Sequence, residues 1–95
     1  MQIKTAIQGK AQLTFTYDGF QRVVEPHTYG VDTKGHTALR AYQVSGGSES
    51  GEYVGWKLFH VDQMRQVSIA SNHFLAPRPK YKRGDSSFQV IHAQL

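Results

Sequence analysis

A chain of 95 residues, 39% apolar and 12% aromatic, is long enough for one hydrophobic core and too short for two. It has no cysteine, which excludes disulfides, thiolate catalysis and cysteine-ligated zinc or iron–sulfur centres. The net charge of +4 is uneven: Arg78, Lys80, Lys82 and Arg83 share residues 78–95 with one carboxylate, Asp85, a local positive field that attracts polyanions. No apolar run approaches the roughly 20 residues of a membrane span. No signal-peptide core follows Met1-Gln2-Ile3-Lys4, so a soluble, cytoplasmic chain without membrane contact is expected.

Ile3, Ala6 and Ile7 lie at i, i+3, i+4 and predict a short amphipathic helix that Gly9 ends. From Leu13 the period changes to two, with Leu13, Phe15 and Tyr17 alternating with polar residues. Asp18-Gly19 supplies the positive φ of a tight hairpin turn. A second strand begins at Phe20 or Gln21 and passes Glu25; Pro26 cannot donate to a ladder and marks an edge or a bend. Alternation resumes at Tyr29 and Val31, and Asp32-Thr33-Lys34-Gly35 forms a turn. Thr37 to Val44 reads as a third strand, with Arg40 and Tyr42 on one face and Leu39 and Ala41 on the other.

The flexible stretch Ser45–Gly51 separates this strand from a fourth, Trp56 to Val61. Asp62-Gln63-Met64 reads as a tight helical turn, and Arg65 to Ser71 as a fifth strand with Val67 and Ile69 inward. Ala76-Pro77-Arg78-Pro79 predicts extended backbone. Phe88, Ile91 and Leu95 fit a last short helix, while Phe88, Val90 and His92 fit a strand equally well. Five short strands joined by tight turns predict a mainly β fold: a small five-stranded barrel over residues 1–75, with a short N-terminal helix and an extended basic C-terminal arm over 76–95.

The stretch Val24-Glu25-Pro26-His27-Thr28-Tyr29-Gly30 through Leu39-Arg40-Ala41-Tyr42-Gln43-Val44-Ser45-Gly46-Gly47 resembles the WYL-domain family. So does Gly55-Trp56-Lys57-Leu58-Phe59-His60-Val61-Asp62-Gln63-Met64. The resemblance covers roughly residues 3–75. It departs at Thr37-Ala38-Leu39, where only Leu39 of the naming triplet is kept, and at His60 and Gln63, where arginines are common. It implies an Sm-like, Src-homology-3-like barrel that senses a nucleic acid or nucleotide-like ligand, as in bacterial transcription regulators and antiviral systems. No helix-turn-helix precedes the barrel, so a stand-alone domain is expected, with any DNA-binding or effector domain on a partner protein.

The candidate ligand residues are therefore Arg40, Tyr42, His60, Arg78, Lys80, Tyr81, Lys82 and Arg83. Cations neutralise phosphates and a tyrosine ring stacks on bases; Arg40 and Tyr42 would clamp and stack. Four engaged tail cations predict a log–log salt slope near roughly −3, at about −0.7 per contact. Trp56 reads as a core residue or a stacking platform. The five histidines show no metal-ligand spacing, so neither metal nor cofactor is expected. Ser45, Ser48 and Ser50 lack a recognisable base partner, so catalysis is not expected. The leading reading is a non-catalytic accessory regulator that binds single-stranded RNA or DNA or a nucleotide. The alternatives are a protein-interaction or homo-oligomerisation module docking through Phe88, Val90, Ile91 and Leu95, and a nucleotide-sequestering protein.

Overall fold

A computed structural model describes residues 2–95. The helix α1 spans Gln2–Gly9 and buries Ile3, Ala6 and Ile7. Burying an Ile side chain stabilises the fold by about 1.5–3 kcal/mol, so Ile7→Asp would detach α1 from the sheet. Gly9 is still helical; the left-handed position falls on Lys10, with φ 52°, whose N–H donates to the Ile7 carbonyl at 3.2 Å.

Six antiparallel strands follow: β1 (Ala11–Tyr17), β2 (Phe20–Asp32), β3 (Thr37–Gly46), β4 (Gly55–His60), β5 (Arg65–His73) and β6 (Phe88–Gln94). Asp18 and Gly19, with φ of 52° and 78°, close the β1–β2 hairpin at the pair Tyr17 and Phe20. The sheet order is β4-β3-β2-β1-β5, and β6 pairs with β2. The two ends of that order are joined by a 3-10 turn, Val61–Gln63. No pairing joins β4 to β5 among the described residues, so the sheet is open where closure was expected. As a terminal strand with a free edge, β5 leaves Ile69 41% exposed, although it pairs with the fully buried Leu13.

The thirteen-residue β2 changes partner along its length. Its first part, up to Val24, pairs with β1; its last part, Thr28–Asp32, pairs with β6 on the same edge. Pro26 lies in the gap between the two partners, beside a bulge in the β3 pairing. There its missing N–H costs no ladder bond. The same gap explains why the C-terminal segment is a strand rather than a helix: β1 has left, and Thr28–Asp32 offers it an unpaired edge.

One face of the sheet carries the core. Leu13, Phe15, Val24, Leu39, Ala41 and Phe59 pack beneath Ile3, Ala6 and Ile7. Phe15 and Tyr17 meet Phe59 edge-on, with centroids 5.0 and 4.9 Å apart, a geometry that adds about 0.5–1.5 kcal/mol per pair beyond burial. The pairs Glu25–Tyr42 and Tyr42–Trp56, and Thr28–Arg40 and Arg40–Leu58, sit on the opposite face. Residues 74–87 cross that face and lead into β6. The segment expected as an arm thus folds back onto the sheet and buries His27 against Phe74 and Tyr81.

Candidate functional site

The returning segment builds a cleft of about 190 Å³ lined by Arg40 and Trp56 from the sheet and by Lys80, Tyr81, Lys82 and Asp85. Its shape follows from local chemistry. Pro79 and Lys80 form a β-turn closed by Tyr81 N–H to the Arg78 carbonyl at 3.2 Å. Pro at the second position presets φ, but the third position demands a left-handed residue, and Lys80 adopts φ 72°. Of the stretch Ala76–Pro79 expected to be extended, Pro79 instead enters this turn. Non-glycine residues in that region are strained by about 1–2 kcal/mol, and such strain clusters at functional positions.

Two aromatic rings form the walls. Trp56 and Tyr81 have centroids 6.4 Å apart and planes inclined by 21°. Both are tethered: the indole Nε1–H donates to the Pro79 carbonyl at 3.1 Å, and the phenol donates to the Leu95 carbonyl at 2.9 Å. Beside them lies His27, whose ring centroid is 4.7 Å from Trp56, 5.1 Å from Tyr81 and 5.8 Å from Phe74.

His27 is fully buried and both ring nitrogens are engaged. Nδ1 contacts the Glu25 carbonyl at 2.8 Å and Nε2 accepts the Arg78 N–H at 3.1 Å. A carbonyl beside Nδ1 and a donor beside Nε2 assign a neutral imidazole protonated at Nδ1. Burial, acting against the Glu25 carbonyl, holds its pKa below the ordinary histidine value. Next to it the Arg78 guanidinium grips Glu25 at 2.7 and 3.1 Å and lies 4.7 Å over the Tyr42 ring. Arg78 is a fastener of the segment to the sheet.

Of the residues singled out in the sequence, Arg40, Lys80, Tyr81 and Lys82 therefore converge on one cleft. Arg40 enters it partly neutralised, donating from Nε to Asp85 at 2.9 Å and from Nη2 to Ser87 Oγ at 3.1 Å. Burial opposes ionisation of Asp85, yet the Ser87 N–H and Arg40 outweigh it and keep its carboxyl below the usual range. Tyr42 lies edge-on to Trp56 at 5.5 Å and does not line the cleft. Arg83 donates to the Leu95 carbonyl at 3.2 Å and is also outside the lining. His60 belongs to a separate cavity, stacked on His36 with centroids 4.6 Å apart. Of Phe88, Val90, Ile91 and Leu95, only Val90 is exposed.

His27 and the pair Asp32 and His36 escaped the sequence reading. Nothing local marks His27, because its partners Trp56, Arg78 and Tyr81 are remote in sequence. For the other two, an Asp four residues before a His across a glycine turn was the available signal. No protein-family profile, no curated protein and no solved structure matches this chain.

Proposed function

We propose that this chain is a non-catalytic WYL-like module that binds single-stranded nucleic acid or a nucleotide-like ligand in the Trp56–Tyr81 cleft. One observation carries the reading: two nearly parallel aromatic rings 6.4 Å apart share a cleft with three cations and one carboxylate. His27 borders the space between the two rings, so a base would stack on an outward face or edge of the aromatic cluster. Lys80 and Lys82 supply phosphate contacts from the rim, while Arg40 stays paired with Asp85.

The ion pairing changes the expected salt dependence. Arg78 is committed to Glu25 and Arg40 to Asp85. Lys80 and Lys82, with Arg83 nearby, then give two or three phosphate contacts and a log–log slope of about −1.4 to −2.1, shallower than four free cations would give. The test is a fluorescence-anisotropy titration with single-stranded RNA and DNA oligomers at several salt concentrations. Lys80→Ala with Lys82→Ala flattens the slope, and Tyr81→Ala weakens binding by about 1–3 kcal/mol. Absence of binding at low salt, or a slope unchanged in the double variant, would refute the proposal.

A further inference from the structure

The geometry points to a divalent transition-metal site formed by Asp32, His36 and His60, with zinc the best-suited occupant. The three residues come from different places in the chain. Asp32 ends β2, His36 lies in the β2–β3 turn, and His60 ends β4. The β3–β4 register pairs Ala38 with His60, bringing that histidine level with the turn. One ligand atom from each residue lies within 4.8 Å of the others.

The carboxylate is already oriented. Asp32 is 5% exposed, and its Oδ1 accepts the backbone N–H groups of His36 at 2.8 Å and Lys34 at 3.0 Å. Its Oδ2 is left facing His36 Nδ1 at 3.4 Å. Such outer hydrogen bonds fix a ligating carboxylate in one direction. The His36 N–H, ahead of the Lys34 N–H, also holds the carboxyl below its usual range, so it is ionised at neutral pH. Neither ring nitrogen of His60 has a hydrogen-bond partner among the described residues, and its ring lies nearly parallel to that of His36, at 23°.

Two imidazoles and one carboxylate suit a borderline cation such as zinc, whose ligand bonds of about 2.0–2.1 Å imply donor atoms roughly 3.3 Å apart in a tetrahedron. Rotation of His36, whose side chain is 52% exposed, and of His60 closes the remaining gap. The adjoining cavity, about 280 Å³ and lined also by Thr33, Lys34, Leu58 and Ser87, leaves the fourth position to water. The Lys34 ammonium shares this cavity and competes with the cation. Arg40 of the aromatic cleft hydrogen-bonds to Ser87 of this cavity, and zinc binding here does not require anything bound in that cleft.

The test uses the full chain without an affinity tag, stripped with chelator, titrated with zinc by calorimetry and with cobalt by visible absorption. One zinc per chain is expected. His36→Gln and His60→Gln should each weaken zinc binding at least about tenfold, and His73→Gln should leave it unchanged. Lys34→Ala should tighten it. His36→Gln alters an exposed side chain, so its loss of binding is not a folding failure; circular dichroism confirms this. No saturable binding below about 1 mM, or wild-type affinity in both His36→Gln and His60→Gln, would overturn the inference.

Discussion

Replacing His27 with Phe separates the two ways in which the returning segment is held. Phe keeps a ring among Trp56, Phe74 and Tyr81, so most of the packing survives. It removes both hydrogen bonds, to the Glu25 carbonyl at 2.8 Å and from the Arg78 N–H at 3.1 Å. A net hydrogen bond contributes about 0.5–1.5 kcal/mol, and a donor left dry costs about 1–3 kcal/mol, so His27→Phe should lose about 1–3 kcal/mol at pH 8. The pH dependence supplies the sharper signature. Burial, the largest influence on the ring, lowers its pKa from the ordinary 6.5, so between 6.5 and the lower folded value the unfolded chain binds more protons. Stability is therefore complete above about pH 6.5 and falls as pH drops through that interval. A protonated Nε2 would be a donor facing the Arg78 donor. Asp32 and Asp85, whose pKa values are also lowered, weaken the fold only below about pH 4, which keeps the two windows apart. Urea unfolding followed by Trp56 fluorescence, with the single indole 4.7 Å from His27, reads both effects. The wild type should lose stability from pH 6.5 downward while His27→Phe stays flat. Equal slopes in the two proteins would refute the reasoning.

Other substitutions probe the same architecture. Lys80→Gly relieves the left-handed strain and should stabilise the chain by about 1 kcal/mol in urea titrations, while reducing the salt slope of oligonucleotide binding by about 0.7. Arg78→Ala strands the Glu25 carboxylate, which is 6% exposed. It should cost about 1–3 kcal/mol, below the value for a fully buried pair because Arg78 is 40% exposed, and leave the salt slope unchanged. Gly30→Ala would place a Cβ 2.0 Å from the Val90 carbonyl oxygen; β6 must move, and amide exchange should accelerate across residues 88–94.

What the sequence conveys is mostly local. The alternation of Leu13, Phe15 and Tyr17, the Asp18-Gly19 turn and the Leu39–Ala41 core face each arise from neighbours a few residues apart, and each is present in the structure. The shared face of Arg40 and Tyr42 also follows from strand periodicity alone. The two residues part company in the site because Arg78, remote in sequence, covers the Tyr42 ring. Phe88–Gln94 fitted helix and strand equally, since the deciding influence is an unpaired edge on β2. Ile69 shows the opposite failure: its alternation is regular, but β5 has no outer neighbour among the described residues to shelter it. Asp32, His36 and His60 look unrelated along the chain because a strand register, rather than a motif, assembles them.

The change of partners along β2 has a consequence during synthesis. The ribosome makes β1, β2 and β3 first, yet the strand that covers Thr28–Asp32 is β6, which emerges only after β4 and β5. Until Phe88–Gln94 has emerged, that half of β2 carries a ladder of unmet backbone groups, open to any passing nascent chain. Chains truncated before residue 88 should therefore aggregate more readily than chains that include β6.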